Sequence, residues 1–304
     1  MSDFKKVLLI GATGSIGSFV LAGLENQSNF DITLLQRSSS KAKLPSHLRT
    51  ITIADTYPTE ELVQAFASQD VIVNCMTSLS VADQFRMIDA AITAGVRRYV
   101  PSEYGLNNMR PDAQALNVVF HDKGKVQEYL RSKGDQGVLE WMSISCGMWM
   151  KWSMAHEFLG MHVKDKRFVF WDDGEGLMTF TTEENTATGL VRALQTPAET
   201  KNTNVLLSDF VASQKQVLEA IERIQGVKYT TETVDSRKVI EEKQAAVRDG
   251  DASATFALIE TGFVTGRYGG NLEKEGVIMN EKLGLTKKSL DEVVTAALRS
   301  VGAI

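Results

Sequence analysis

The segment that most constrains this chain is a short apolar run, residues 7–10, leading straight into Gly11-Ala12-Thr13-Gly14-Ser15-Ile16-Gly17 and then a helical pattern. Between a strand and a helix, the first glycine of such a triplet permits the tight turn. The second lets main-chain N–H groups approach a diphosphate, and the third lets the helix pack closely on the strand. Alone, a glycine turn is weak information, because glycine serves any position that needs a positive φ. Here the context is right, since strand, turn and helix follow in order. Further β-branched and aliphatic runs fall at 32–35, 50–53, 71–74, 98–100 and 139–145, with helical patterns at 15–25, 59–67 and 81–94 between them. Strand alternating with helix predicts right-handed βαβ units and a doubly wound parallel sheet.

The expected fold class is therefore α/β, a dinucleotide-binding Rossmann sheet over residues 1–155. Residues 156–304 are expected to form mainly a smaller α+β substrate lobe, with some segments returning to the sheet. In that second part the alternation breaks up into a Gly-rich turn at 172–176 and helical patterns near 183–194, 214–225 and 290–298. The 304 residues carry 33 Lys and Arg against 38 Asp and Glu, so no overall basic field attracts a polyanion and no nucleic-acid partner is expected. Two cysteines, Cys75 and Cys146, make no disulfide framework, which fits a reducing compartment. The first residues show no secretion signal and no run of 18 apolar residues occurs, so the expected location is cytoplasmic, without membrane association. Nothing in the sequence sets an oligomeric state.

Which dinucleotide the glycine turn would hold depends on the end of the second strand, where an acidic side chain would bind the ribose 2′-hydroxyl of NAD. This chain has Arg37 there, followed by Ser38-Ser39-Ser40-Lys41-Ala42-Lys43. A guanidinium, nearby hydroxyls and an ammonium from Lys43 or Lys41 suit a 2′-phosphate, and no neighbouring carboxylate is evident to repel it. The expected cofactor is NADP(H), held by Gly11, Thr13, Gly14, Ser15, Ile16 and Gly17 at the diphosphate and by Arg37 with Lys43 at the 2′-phosphate. A merely solvated basic loop is the bland alternative. It accounts for the lysines better than for Arg37.

Tyr129-Leu130-Arg131-Ser132-Lys133 looks like the Tyr-x-x-x-Lys pair of short-chain reductases, which shares one helical face. Only four residues separate Lys133 from the next strand, however, which places it at a helix C-terminus where a cation needs no other explanation. Lys123 lies about fifteen residues before that strand, at the depth a catalytic lysine needs, but Val119 fills the tyrosine slot four residues earlier. A lone lysine must then hold the nicotinamide ribose and assist proton transfer. An ordinary solvent-facing helix lysine is the alternative.

Together these residues resemble the NmrA-like and isoflavone-reductase-like group of atypical short-chain dehydrogenases, which includes the phenylcoumaran benzylic ether reductases. The resemblance rests on the glycine turn, on Arg37, and on Pro101-Ser102-Glu103-Tyr104-Gly105, which looks like that family's Pro-Ser-Glu-Phe-Gly turn. It continues through Phe120-x-x-Lys123-x-Lys125-Val126, Asp173-Gly174 and Phe180-Thr181-Thr182. The resemblance implies NADPH as cofactor and Lys123 in the position of the catalytic lysine. It also implies that Ser102, Glu103 and Tyr104 border the nicotinamide, and that Met76-Thr77-Ser78 passes the cofactor's ribose and diphosphate. Gln127 departs from the arginine usual four residues past the lysine in plant members, which puts plant-type phenylpropanoid substrates in doubt.

The four histidines lack metal-ligand spacing, so no metal is expected, and His121 lies on a different helical face from Lys123. No Gly-x-Ser-x-Gly elbow supports a serine nucleophile. Residues 141–154 hold three Trp and four Met. Core packing is the default account of such residues, but Met148, Trp149 and Trp152, with Met150, Phe158 and Met161, would also suit an adaptable apolar pocket. The resulting expectation is an NADPH-dependent reductase of a hydrophobic small molecule, such as an aromatic or secondary-metabolite carbonyl, enone or benzylic ether. Its rivals are an NADP(H)-binding redox-sensing regulator without turnover and a non-redox isomerase on the same fold.

Overall fold

The structure, a computed structural model, describes residues 4–27, 30–77 and 81–304; Ser78 of the expected cofactor-flanking loop lies outside them. The chain runs β1 (Lys6–Ile10), α1 (Gly17–Glu25), β2 (Asp31–Arg37), β3 (Arg49–Ile53), α2 (Thr59–Phe66), β4 (Val71–Asn74), α3 (Asp83–Thr93), β5 (Arg98–Val100), α4 (Pro111–Leu116), α5 (Val118–Asp135) and β6 (Glu140–Ser145). It continues through α6 (Met150–Ala155), β7 (Met161–His162), β8 (Arg167–Trp171), β9 (Met178–Phe180), α7 (Glu183–Gln195), β10 (Thr203–Leu206) and β11 (Phe210–Ala212). The last elements are α8 (Gln214–Gln225), β12 (Thr230–Val234), α9 (Ser236–Arg248), α10 (Thr255–Val264) and α11 (Leu290–Ser300).

The chain divides into two compact units, and not at one cut near residue 155. The first comprises Met1–Glu103, Asp122–Ile144 and Ala187–Val205; the second comprises Tyr104–His121, Ser145–Thr186 and Leu206–Ile304. A single boundary fails because α5, β6, α7 and β10 each start in one unit and finish in the other.

The central sheet has the strand order β10-β6-β5-β4-β1-β2-β3. Pairing is parallel from β6 through to β3, and the order reverses at β1, which lies between β4 and β2. The carboxyl ends of strands flanking such a reversal are where open α/β sheets hold ligands. Val7 to Ile10, Ile32 to Leu35 and Val71 to Val73 are all buried, as expected of parallel strands covered on both faces. Every strand expected in the first half is present. Helix α1 starts two residues later than its pattern suggested, because Gly14 to Ile16 complete the turn.

Arg98 on β5 is 1% exposed and joins three segments of the first unit. Its guanidinium donates to Glu140 Oε2 of β6 at 2.8 Å, to Thr200 Oγ1 at 3.0 Å and to the Pro197 carbonyl at 2.7 Å. The 187–205 segment is thereby fixed beside β5 and β6.

The second unit contains a three-stranded sheet of order β12-β8-β7 and the antiparallel pair β11-β9. One continuous apolar cluster fills it, with Met148, Met150, Met154, Phe158, Met161 and Phe180 among its members. Buried Gln214 satisfies its amide through the Trp171 N–H and the carbonyls of Leu159 and Val169. Leu159 and Gly160 both have positive φ, and a Cβ at Gly160 would fall 2.0 Å from the Val169 oxygen. Glu260 of α10 accepts the Gly160 N–H at 3.0 Å, which holds this turn from the other side.

Two stability effects follow. Arg98→Met strands Glu140 beside one remaining cation, Lys201, and leaves two acceptors without a donor. It should cost about 3 kcal/mol and lower the thermal midpoint by several degrees; an unchanged melting curve would discount the Arg98 network. Burial pushes the Glu260 carboxyl up to about 7. The folded chain then holds that proton more tightly than the unfolded chain, so folding is penalised progressively as pH rises from the ordinary carboxylate range to about 7. Glu260→Gln keeps an acceptor for Gly160 and should be more stable than the parent at pH 8 by on the order of 2 kcal/mol, with the difference vanishing near pH 5. A difference that does not vary with pH would exclude this account.

Candidate functional site

At the carboxyl end of β1 the glycine turn is fixed by close approach. Gly11 has φ +78°, and a Cβ there would fall 2.6 Å from the Cys75 carbonyl oxygen beyond β4. A Cβ on Gly17 would fall 2.0 Å from the Gly11 oxygen. Neither position tolerates a side chain. Helix α1 has no side-chain cap and no acidic residue in its first turn. No partner among the described residues takes the N–H of Thr13, Ser15 or Ile16. Unsatisfied donors at a helix start favour an anion.

This turn forms one wall of a cleft of about 240 Å³ whose lining includes Gly11 to Gly14, Gln36, Arg37, Ser40, Tyr57 and Thr77. Arg37 therefore reaches the cleft, as its position at the end of β2 implied. Ala42 and Leu44 also line it, whereas Lys41 and Lys43 do not. Ser15, Ile16 and Gly17 also stand outside the lining.

The expectation that no carboxylate approaches Arg37 is overturned. Asp55, two residues past β3, accepts from Ser38 Oγ at 3.0 Å and from the Ser39 N–H at 3.0 Å. Those hydrogen bonds, with the charge of Arg37, hold its carboxyl below the usual range. The Ser38 hydroxyl, counted as a phosphate donor, is thus already engaged. Gln36 pins the far side of the same loop, donating to Ser40 Oγ at 3.2 Å and to the Ala42 carbonyl at 2.9 Å. Neither Asp55 nor Gln36 carries a sequence signal of its own. The place of Asp55 follows from the β2–β3 register, which pairs Arg37 with Ile53, whereas Gln36 acts within its own loop.

The loop after β4 is held from beneath. Asn74, fully buried, accepts the Met76 N–H at 2.9 Å and donates to the Tyr99 hydroxyl at 2.9 Å. Ser102 donates its hydroxyl to the Met76 carbonyl at 2.7 Å, and its N–H goes to Gln84 Oε1 at 2.9 Å. Ser102 therefore braces the Met76–Thr77 backbone. Lys123, 8% exposed, extends from the buried face of α5 and donates to the Glu103 carbonyl at 2.6 Å. One helical turn on, Gln127 donates to the Glu103 carboxylate at 2.7 Å. Residues i and i+4 of one helix thus grip a single residue of the turn after β5. Tyr104 follows with φ +47° and is buried.

The decoy pair lies elsewhere. Tyr129 donates to Asp89 at 2.5 Å, and the Lys133 ammonium rests 4.7 Å from the centre of the Tyr129 ring in the last turn of α5. His121 is exposed.

In the second unit the apolar residues expected to line a pocket separate into two groups. Met148, Met150, Phe158 and Met161 belong to the packed core, which the density of large apolar neighbours explains. Trp149 and Trp152 are half-buried. The Trp149 indole donates to Thr186 Oγ1 at 3.1 Å, and Trp152 stacks on His156 with ring centres 4.4 Å apart. Among the described residues no group of three or more His, Cys, Asp or Glu is placed to hold a metal ion, and no helix is long and apolar enough to cross a membrane.

Oxidoreductase aprR of Aspergillus flavus is 30% identical over 97% of this chain and 99% of its own length. Phenylcoumaran benzylic ether reductase Betv6 of Betula pendula is 27% identical over 65% of this chain and 67% of its own. Among solved structures, the leucoanthocyanidin reductase–NADPH complex from Vitis vinifera superposes with a TM-score of 0.75 at 16% identity, covering 97% of this chain and 99% of that one, a likeness of fold. The profile of the NmrA-like family matches residues 3–283, and the chain belongs to that family.

Proposed function

We propose that this chain is an NADPH-dependent reductase of a hydrophobic small molecule, such as an aromatic or secondary-metabolite carbonyl, enone or benzylic ether. One observation carries the reading: Lys123 is buried and anchored on Glu103, in the same compact unit as an anion-ready glycine turn and Arg37. The names of the relatives, an oxidoreductase and a benzylic ether reductase, support the class.

The residues present fit NADPH. Uncapped N–H groups at the start of α1 would receive the diphosphate, Arg37 the 2′-phosphate, and Thr77 the ribose–diphosphate stretch. The bound nicotinamide supplies a hydride. Ser102 keeps the Met76–Thr77 backbone in place, while Glu103 and Gln127 hold the turn that positions Lys123. A lysine ammonium has three donors, and directing one to the Glu103 carbonyl fixes the nitrogen's position. From there Lys123 would supply the proton that balances negative charge developing on the substrate oxygen. Met148, Trp149 and Trp152, residues of the second unit, are the proposed source of apolar surface for a hydrophobic substrate.

Two substitutions test the roles separately. In a screen of aromatic ketones, enones, quinones and benzylic ethers followed by NADPH absorbance, Lys123→Ala should lower kcat about 100-fold for any compound the parent turns over. Equal turnover by Lys123→Ala would refute that role. Arg37→Ala should weaken NADPH binding about tenfold and leave NADH binding unchanged, as read by calorimetry. NADPH binding without consumption of any compound would favour the regulator, and product formation without net NADPH oxidation the isomerase.

A further inference from the structure

We propose that Asp55 is a positioning residue for cofactor choice: by holding the Ser38–Ser39 turn it sets the shape of the loop after Arg37 that receives the 2′-phosphate. The proposal rests on the NADPH reading given above.

The loop is exposed, yet it is tied at both ends. On one side a single Asp55 oxygen, Oδ1, takes both the Ser38 hydroxyl and the Ser39 N–H at 3.0 Å, and the Ser38 N–H continues the β2–β3 pairing to the Ile53 carbonyl at 2.8 Å. On the other side Gln36 reaches across to Ser40 Oγ and the Ala42 carbonyl. The Ser40 N–H closes a turn onto the Arg37 carbonyl at 3.0 Å. Arg37, Ser40 and Ala42 all line the cleft, so the tethered segment is part of its wall. A loop ordered in advance spares the ligand the entropy of ordering it. The cost is a negative charge near an anionic group, which argues that Asp55 is present for its geometry and not for its charge. An Asn at this position retains the Oδ1 acceptor and loses the charge. An Ala loses both.

Calorimetric titration of the full chain with NADPH and with NADH separates these contributions. Asp55→Ala should weaken NADPH about tenfold and NADH less than twofold, the retained NADH binding certifying an intact fold. Asp55→Asn should bind NADPH at least as well as one third of parental affinity, or more tightly than the parent. The inference is overturned if Asp55→Ala leaves the ratio of NADPH to NADH affinity unchanged, or if Asp55→Asn loses as much NADPH affinity as Asp55→Ala. Arg37→Ala, run alongside, distinguishes the two failures. If it too leaves the ratio unchanged, the NADPH reading fails. If it collapses the ratio while Asp55→Ala does not, only the role of Asp55 falls.

Discussion

The contact on which the cofactor cleft depends is steric: Gly17 against the Gly11 carbonyl, and Gly11 against the Cys75 carbonyl. A methyl group at either position would sit less than 3 Å from a backbone oxygen. Backbone cannot yield as a flexible side chain can, so the two glycines fix how closely α1 approaches β1 and how closely the first turn approaches the end of β4. That approach leaves the N–H groups of Thr13, Ser15 and Ile16, just ahead of α1, with no partner among the described residues. The anion preference of the site is thus a consequence of packing. Few charged side chains are needed to create it.

A second constraint governs the turn after β5. Glu103 is fully buried and is met by two residues of one helix face, Lys123 at its carbonyl and Gln127 at its carboxylate. A buried carboxyl group requires hydrogen-bond partners, and Gln127 supplies one without adding a charge. With Val119 in place of a tyrosine, Lys123 is the ionisable side chain this helix brings to that turn. The arrangement gives the Lys123 ammonium a fixed position.

The first half of the fold was legible because parallel strands buried on both faces read as unbroken apolar runs, and the intervening helices carry their own period. Arg37 was legible for the same reason, since it ends β2. Asp55 was not. Its proximity to Ser38 comes from the pairing of Arg37 with Ile53, and register between parallel strands leaves no mark in either strand alone. An exposed loop has no period from which to read direction; Ala42 and Leu44 line the cleft and Lys43 does not. The Met- and Trp-rich stretch was ambiguous in principle, as core and pocket draw on the same residues. Trp149 and Trp152 differ from Met150 and Met161 only in how much surface the fold leaves uncovered.

The charge of the whole chain bears on how such a site works. A formal −5 repels a strongly anionic nucleotide at long range. Salt screens that repulsion beyond about 8 Å at physiological ionic strength. What remains is local: the N–H groups of the glycine turn, one guanidinium, and a loop held in place beforehand. Recognition therefore depends on contact geometry more than on electrostatic steering. This explains why a site for an anion accommodates Asp55 beside Arg37. A carboxylate that orders the receiving loop acts at contact distance, where loop shape and hydrogen bonds decide the outcome.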